Sequence, residues 1–86
     1  MKNISQMMKQ AQEMQKRMEE MQKSLETAQI SGESGGGLVK IILNGKGIME
    51  KISIDESLSQ ENEFSIIEDL IIAAHNDAKT KLEEYT

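Results

Sequence analysis

The sequence predicts an α+β fold in the order α-β-β-β-α, a three-stranded antiparallel sheet between long N- and C-terminal helices. Three observations carry this. An apolar heptad runs unbroken through the first 28 residues. The apolar period then falls from 3.5 to 2 in segments punctuated by ESGGG at 33–37 and NGKG at 44–47. A second amphipathic pattern fills the end of the chain. The expected single domain spans 1–86, with a helix over about 3–26, strands over about 28–33, 37–44 and 47–54, and a helix over about 62–84.

In the first helix, Ile4, Met7, Ala11, Met14, Met18, Met21, Leu25 and Ala28 are spaced alternately three and four apart, the a/d pattern of a coiled coil. No Gly or Pro precedes Gly32, and the intervening Gln, Glu, Lys and Met favour helix. Glu13→Arg17 and Glu19→Lys23 are i,i+4 pairs in the favourable order. Methionine fills four of the eight seam positions, which makes the seam adaptable in packing. It serves either as a core or dimer seam or as a groove for a partner helix. Lys2, Lys9, Lys16 and Lys23 recur every seven residues at position f, opposite that seam, about 10.5 Å apart. Such a stripe is either the solvated back of a coiled coil or a rail for a polyanion.

Strand one alternates Ala28, Ile30 and Gly32 with Gln29, Ser31 and Glu33. Strand two places Val39, Ile41 and Leu43 on one face and Leu38, Lys40 and Ile42 on the other, so it is expected to be central and covered on both sides. On strand three, Ile48, Ile52 and Ile54 are expected to share a face with Glu50. Asn44-Gly45 predicts a hairpin with a type I′ turn. The glycines do not match a phosphate loop. A P-loop or dinucleotide fingerprint leads into a helix, whereas GGG here leads into LVKII.

Residues 55–61, DESLSQE, read as a polar connector, with Asn62 as the N-cap of the last helix. Phe64, Ile67, Leu70, Ile71, Ala74, Ala78, Leu82 and Tyr85 form its apolar stripe, and Ile66, Ile72 and Ala73 widen it enough to meet a second surface such as a partner subunit. Glu61, Glu63, Glu68 and Asp69 come early and Lys79 and Lys81 late, as the helix dipole favours, although Glu83 and Glu84 oppose that trend. The expected core and dimer residues are Met14, Met18, Val39, Ile41, Leu43, Ile52, Leu70, Ile71 and Ala74.

At 86 residues the core is modest, and with no cysteine and one histidine neither a disulfide nor a thiolate or histidine metal site is available to supplement it. Oligomerisation is the expected supplement. No cofactor fingerprint or metal-ligand spacing occurs, and His75-Asn76-Asp77 lacks any neighbouring nucleophile. An enzyme, a resident cofactor or metal and a small-molecule substrate are therefore not expected. The start has no signal-peptide core and LIIAA at 70–74 is too short to span a bilayer, so a cytoplasmic protein without a membrane partner is expected. Net charge is −5, but from Lys2 to Arg17 four cations face the single acid Glu13, a local +3. The only aromatics are Phe64 and Tyr85, which argues against base stacking on single strands.

The stretches MKQAQEMQKRMEEMQ at 8–22, SGESGGGLVKIILNGKG at 31–47, ISIDESL at 52–58 and EDLIIAAHNDAKTKLEE at 68–84 together resemble the YbaB/EbfC family of nucleoid-associated DNA-binding proteins. The glycine-strand-glycine block combined with AAxNDA is the specific part. The chain carries Glu56 where the family commonly has proline and His75 where an apolar or aromatic residue is common. It stops at Thr86, where members often extend in a Gly/Pro/Met-containing tail. The resemblance implies a tweezer-like homodimer with protruding helices, a location in the nucleoid, and double-stranded DNA as partner, bound with little sequence preference. By region and residue type it points to Lys2, Lys9, Lys16 and Arg17 on the first helix and Lys79 and Lys81 on the last as DNA-binding residues. The alternative is a Met-rich helical adaptor that binds a protein partner and not DNA.

Overall fold

The computed structural model describes residues 2–60 and 62–85. The order is α1 (Lys2–Thr27), β1 (Ile30–Ser34), β2 (Val39–Leu43), β3 (Met49–Ile54), a 3-10 turn (Glu56–Gln60) and α2 (Phe64–Tyr85). The sheet is antiparallel in the order β1-β2-β3, so β2 is central as expected.

The core lies between α2 and one face of the sheet. Val39, Ile41, Leu43 and Ala74 are fully buried, joined by Ile30, Leu58 and Ala78, with Leu70 and Ile71 packed at the margin. Gly32 explains how the layers meet. A methyl group there would collide with the backbone of Ala74 and Ala78, so β1 and α2 approach at backbone distance. Polar contacts latch the same seam. Ser34 Oγ donates to Leu70 O at 2.6 Å, and the Glu33 amide donates to Asp77 Oδ2 at 3.0 Å.

The second face of β2 is not covered. Lys40 is exposed and Ile42 half-buried, because α2 is the one helix lying on the sheet. A bulge corrects the expected facing of β3. Ile42 pairs with Lys51 but Leu43 with Met49, so Glu50 is the inserted residue and does not share a face with Ile52 and Ile54. Ile54 and Ile52 stand opposite Val39 and Ile41 on the helix-bearing face, yet both remain exposed.

The turns also differ in detail. At ESGGG the positive φ falls on Gly35, Gly36 and Gly37, and the Gly37 amide donates to Ser34 O at 3.1 Å. The second hairpin is not type I′, since neither Asn44 nor Gly45 has positive φ and Gly47 takes it instead (86°). The buried Asn44 carboxamide makes this possible, its Oδ1 accepting from the amides of Lys46 (2.9 Å) and Ile48 (3.1 Å). That arrangement is the three-residue loop with an αL glycine.

The connector is ordered around Asp55, whose Oδ2 accepts from the Ser57 hydroxyl (2.6 Å) and amide (3.0 Å). This turn presents Leu58 to the core, a contact the polar composition of DESLSQE conceals. Because α2 begins at Phe64, Asn62 is not adjacent to its first residue and Glu63 precedes it instead. Glu68 and Asp69 fall beyond the first turn, and Lys79 and Lys81 fall before the last, so the expected dipole pairing is weaker than the sequence order implies. The expected contribution of Glu61 lies outside the described residues.

Candidate nucleic-acid interface

Helix α1 leaves the body as an arm. Its 26 residues reach about 39 Å at 1.5 Å per residue. The chain measures 73 × 18 × 17 Å with a radius of gyration of 20.1 Å. A compact domain of this length would have one of about 12 Å. Every residue from Asn3 to Ser24 is exposed. The seam is therefore not part of this chain's own core: Met14 is 65% exposed and Met18 57%.

The root of the arm is built from a few contacts. The Gly45 amide donates to Leu25 O at 2.7 Å, satisfying one of the carbonyls that a helix leaves open at its C-terminus. A Cβ at Gly45 would stand 2.7 Å from that oxygen and 2.9 Å from Leu25 Cα, so glycine is required for the close approach. Lys46 Nζ pairs with Glu26 Oε1 at 2.9 Å across the same junction. Gly47 lies beside Leu82, so the arm projects from the end of the sheet where α2 finishes.

The expected cationic residues divide into two groups. Lys9, Lys16 and Arg17 stand exposed along the arm, and Lys2 opens the same helix with its side chain outside the described part. Among the described residues, the ion pairs are Lys46–Glu26 and Lys81–Asp77, so the arm cations Lys9, Lys16 and Arg17 make none. Lys79 is exposed on α2. Lys81 binds Asp77 Oδ2 at 3.1 Å and is tied to the β1 latch. The Glu33 amide, followed by Lys81, holds the Asp77 carboxyl below the ordinary aspartate value. The structure thus gathers Lys9, Lys16 and Arg17 on one rod and leaves Lys79 and Lys81 at the body.

Two further lysines, not expected at such a surface, join them. Lys40 and Lys51 project from the face of the sheet opposite α2. The period-2 patterns of VKIIL and MEKISI place them there, although the apolar residues of those patterns speak first of the core. Among the described residues, no group of three or more His, Cys, Asp or Glu could hold a metal ion, and no helix is long and apolar enough to cross a membrane.

Known proteins share both sequence and architecture with this chain. A nucleoid-associated protein of Brucella anthropi is 55% identical over 83 residues, covering 96% of this chain and 78% of its own length. Its counterpart in Brucella ovis is 54% identical with the same coverage. The crystal structure of an uncharacterized protein, HP0035 from Helicobacter pylori, matches with a TM-score of 0.76 at 26% identity, covering 94% of this chain and 85% of that one. The sequence profile of the YbaB/EbfC DNA-binding family spans residues 1–86, the arm, sheet and last helix alike. With its whole length accounted for in this way, the chain is a member of the YbaB/EbfC family, a family of DNA-binding rather than enzymatic proteins.

Proposed function

We propose that the chain works as a homodimer whose two α1 arms hold duplex DNA in the nucleoid, contacting phosphates through Lys2, Lys9, Lys16 and Arg17, with Lys79 and Lys81 assisting near the arm root. One observation carries this reading. An exposed arm of about 39 Å bears Lys9, Lys16 and Arg17, none of them ion-paired among the described residues, on a molecule of net charge −5. A lysine about every 10.5 Å along a rod supplies point charges for phosphate and no pattern for reading base edges. Binding of little sequence preference follows. The relatives named as nucleoid-associated proteins support the location.

The dimer has its own support. Ile52 and Ile54 remain 41% and 46% exposed on the part of the helix-bearing sheet face that α2 leaves bare. A second copy laid on that side would cover them and bring a second arm. Two copies carry a formal −10. The net charge of the pair opposes DNA, so the arm ends lead the approach and any contact on the body rests on local clusters of lysine.

The test replaces Lys2, Lys9 and Lys16 with Gln together. Mobility shifts on several unrelated duplexes should weaken to the same extent on each. Shifts that do not move would refute the arm as the contact surface. Salt-insensitive capture of a protein partner, with no shift of duplex at low salt, would instead establish the Met-rich adaptor reading.

A further inference from the structure

The sheet face opposite α2 carries a feature that the arm reading does not use. Ser31, Lys40, Lys51 and Ser53 line a shallow groove of about 340 Å³, with Glu33 on its wall and Lys81 reaching it from α2. Lys40 pairs across the sheet with Ser53, and Lys51 with Ile42, so the two lysines are diagonal neighbours. That relation sets the two residues about 7–8 Å apart, close enough for both ammonium groups to meet one phosphodiester. Among the described residues neither lysine has an ion-pair partner, although Glu33 stands opposite Lys40 in the register.

Lysine and serine side chains stand at the rim of the groove, and Ile41 and Ile42 also line it. None of the large exposed apolar side chains lines it, and Ile42 is half-buried. A peptide partner would lack an apolar anchor here. Two ammonium groups flanked by serine hydroxyls match the oxygens of a phosphate backbone. The bare apolar side chains Ile52 and Ile54 lie on the opposite face, so a second copy seated there leaves this groove open.

We infer that the outer sheet face is a second phosphate-backbone contact, in which Lys40 and Lys51 grip duplex DNA beyond the arms and Glu33 limits how tightly they do so. The inference rests on the proposed DNA-binding function. It adds a surface on the body to contacts otherwise confined to helices, and so predicts a footprint longer than the arms alone would give.

The experiment measures anisotropy of a fluorescent mixed-sequence duplex against full-length chains at several salt concentrations. If each lysine holds one phosphate, Lys40→Gln with Lys51→Gln should flatten the plot of log K against log salt by about 2 per bound chain. Equivalently, the loss of affinity between about 50 and 200 mM salt should shrink roughly tenfold. Lys40→Arg with Lys51→Arg should keep the wild-type slope, which separates lost charge from lost folding. Glu33→Gln should tighten binding at low salt. If the paired Gln variant binds as wild type does while the Lys2/Lys9/Lys16 variant is weakened, the outer-face contact is refuted and the arms stand. If wild type binds no duplex even in dilute salt, the proposed function falls and this contact with it.

Discussion

Replacing Gly32 with alanine should separate β1 from α2. The added methyl would sit inside contact distance of Ala74 O and of the amide nitrogen and Cβ of Ala78. None of these is the free end of a flexible side chain, so a whole element must move. Overpacking of this kind costs about 1–3 kcal/mol. For a domain of this size 1 kcal/mol shifts the melting temperature by roughly 4–8 °C, so a cost near 2 kcal/mol predicts a fall of about 8–16 °C. Gly36→Ala is the control. Gly36 has φ of +70° but nothing within 4 Å of an added methyl, so its cost is the left-handed backbone alone, about 1–2 kcal/mol. Part of that is offset by the lower entropy of the unfolded chain. Thermal unfolding followed by far-UV circular dichroism, at one protomer concentration, measures both. A Gly32→Ala protein melting with wild type, or above Gly36→Ala, would show that the sheet and α2 do not meet at backbone distance.

Two other perturbations follow from the junctions. Gly45→Ala places a Cβ 2.7 Å from Leu25 O and should unseat the arm root while sparing the core. Hydrogen exchange should then quicken at residues 25–29 and 45, with β2 unchanged; equal quickening throughout would contradict a local junction. Asp77 is held below its usual pKa by the Glu33 amide and then by Lys81, so it contributes stability above the unfolded carboxylate value that is lost as pH falls through the lower folded value. The advantage of wild type over Asp77→Asn in urea midpoints should therefore be full at pH 7 and shrink as pH falls below 3.8. An advantage independent of pH would mean that the carboxylate charge does not matter to the latch.

Much of this architecture is legible in residue spacing. Helix α1 needs only its heptad and the lack of any Gly or Pro before Gly32. The β1 and β2 facings follow from alternation, as Ile30, Gly32, Val39 and Ile41 bear out. What spacing does not show depends on contacts between distant residues. The bulge at Glu50 reverses the parity of β3 and no local pattern announces it. Asn44-Gly45 resembles a tight two-residue turn, but Gly45 is there for the approach of Leu25, far away in sequence. Leu58 is hidden in a polar segment because the Asp55–Ser57 turn that aims it is set by hydrogen bonds, not hydropathy. The arm cations stand out because a seven-residue repeat survives projection onto a helix. Lys40 and Lys51 do not, because they interrupt strands whose apolar residues dominate the pattern.

The most direct test of the central idea is the salt dependence of wild-type binding to duplex DNA. If four to six lysines displace counterions from phosphates, log K should fall against log salt with a slope of about −4 to −5, alike for unrelated sequences. A flat salt response, or no complex in dilute buffer, would contradict an arm that works by charge.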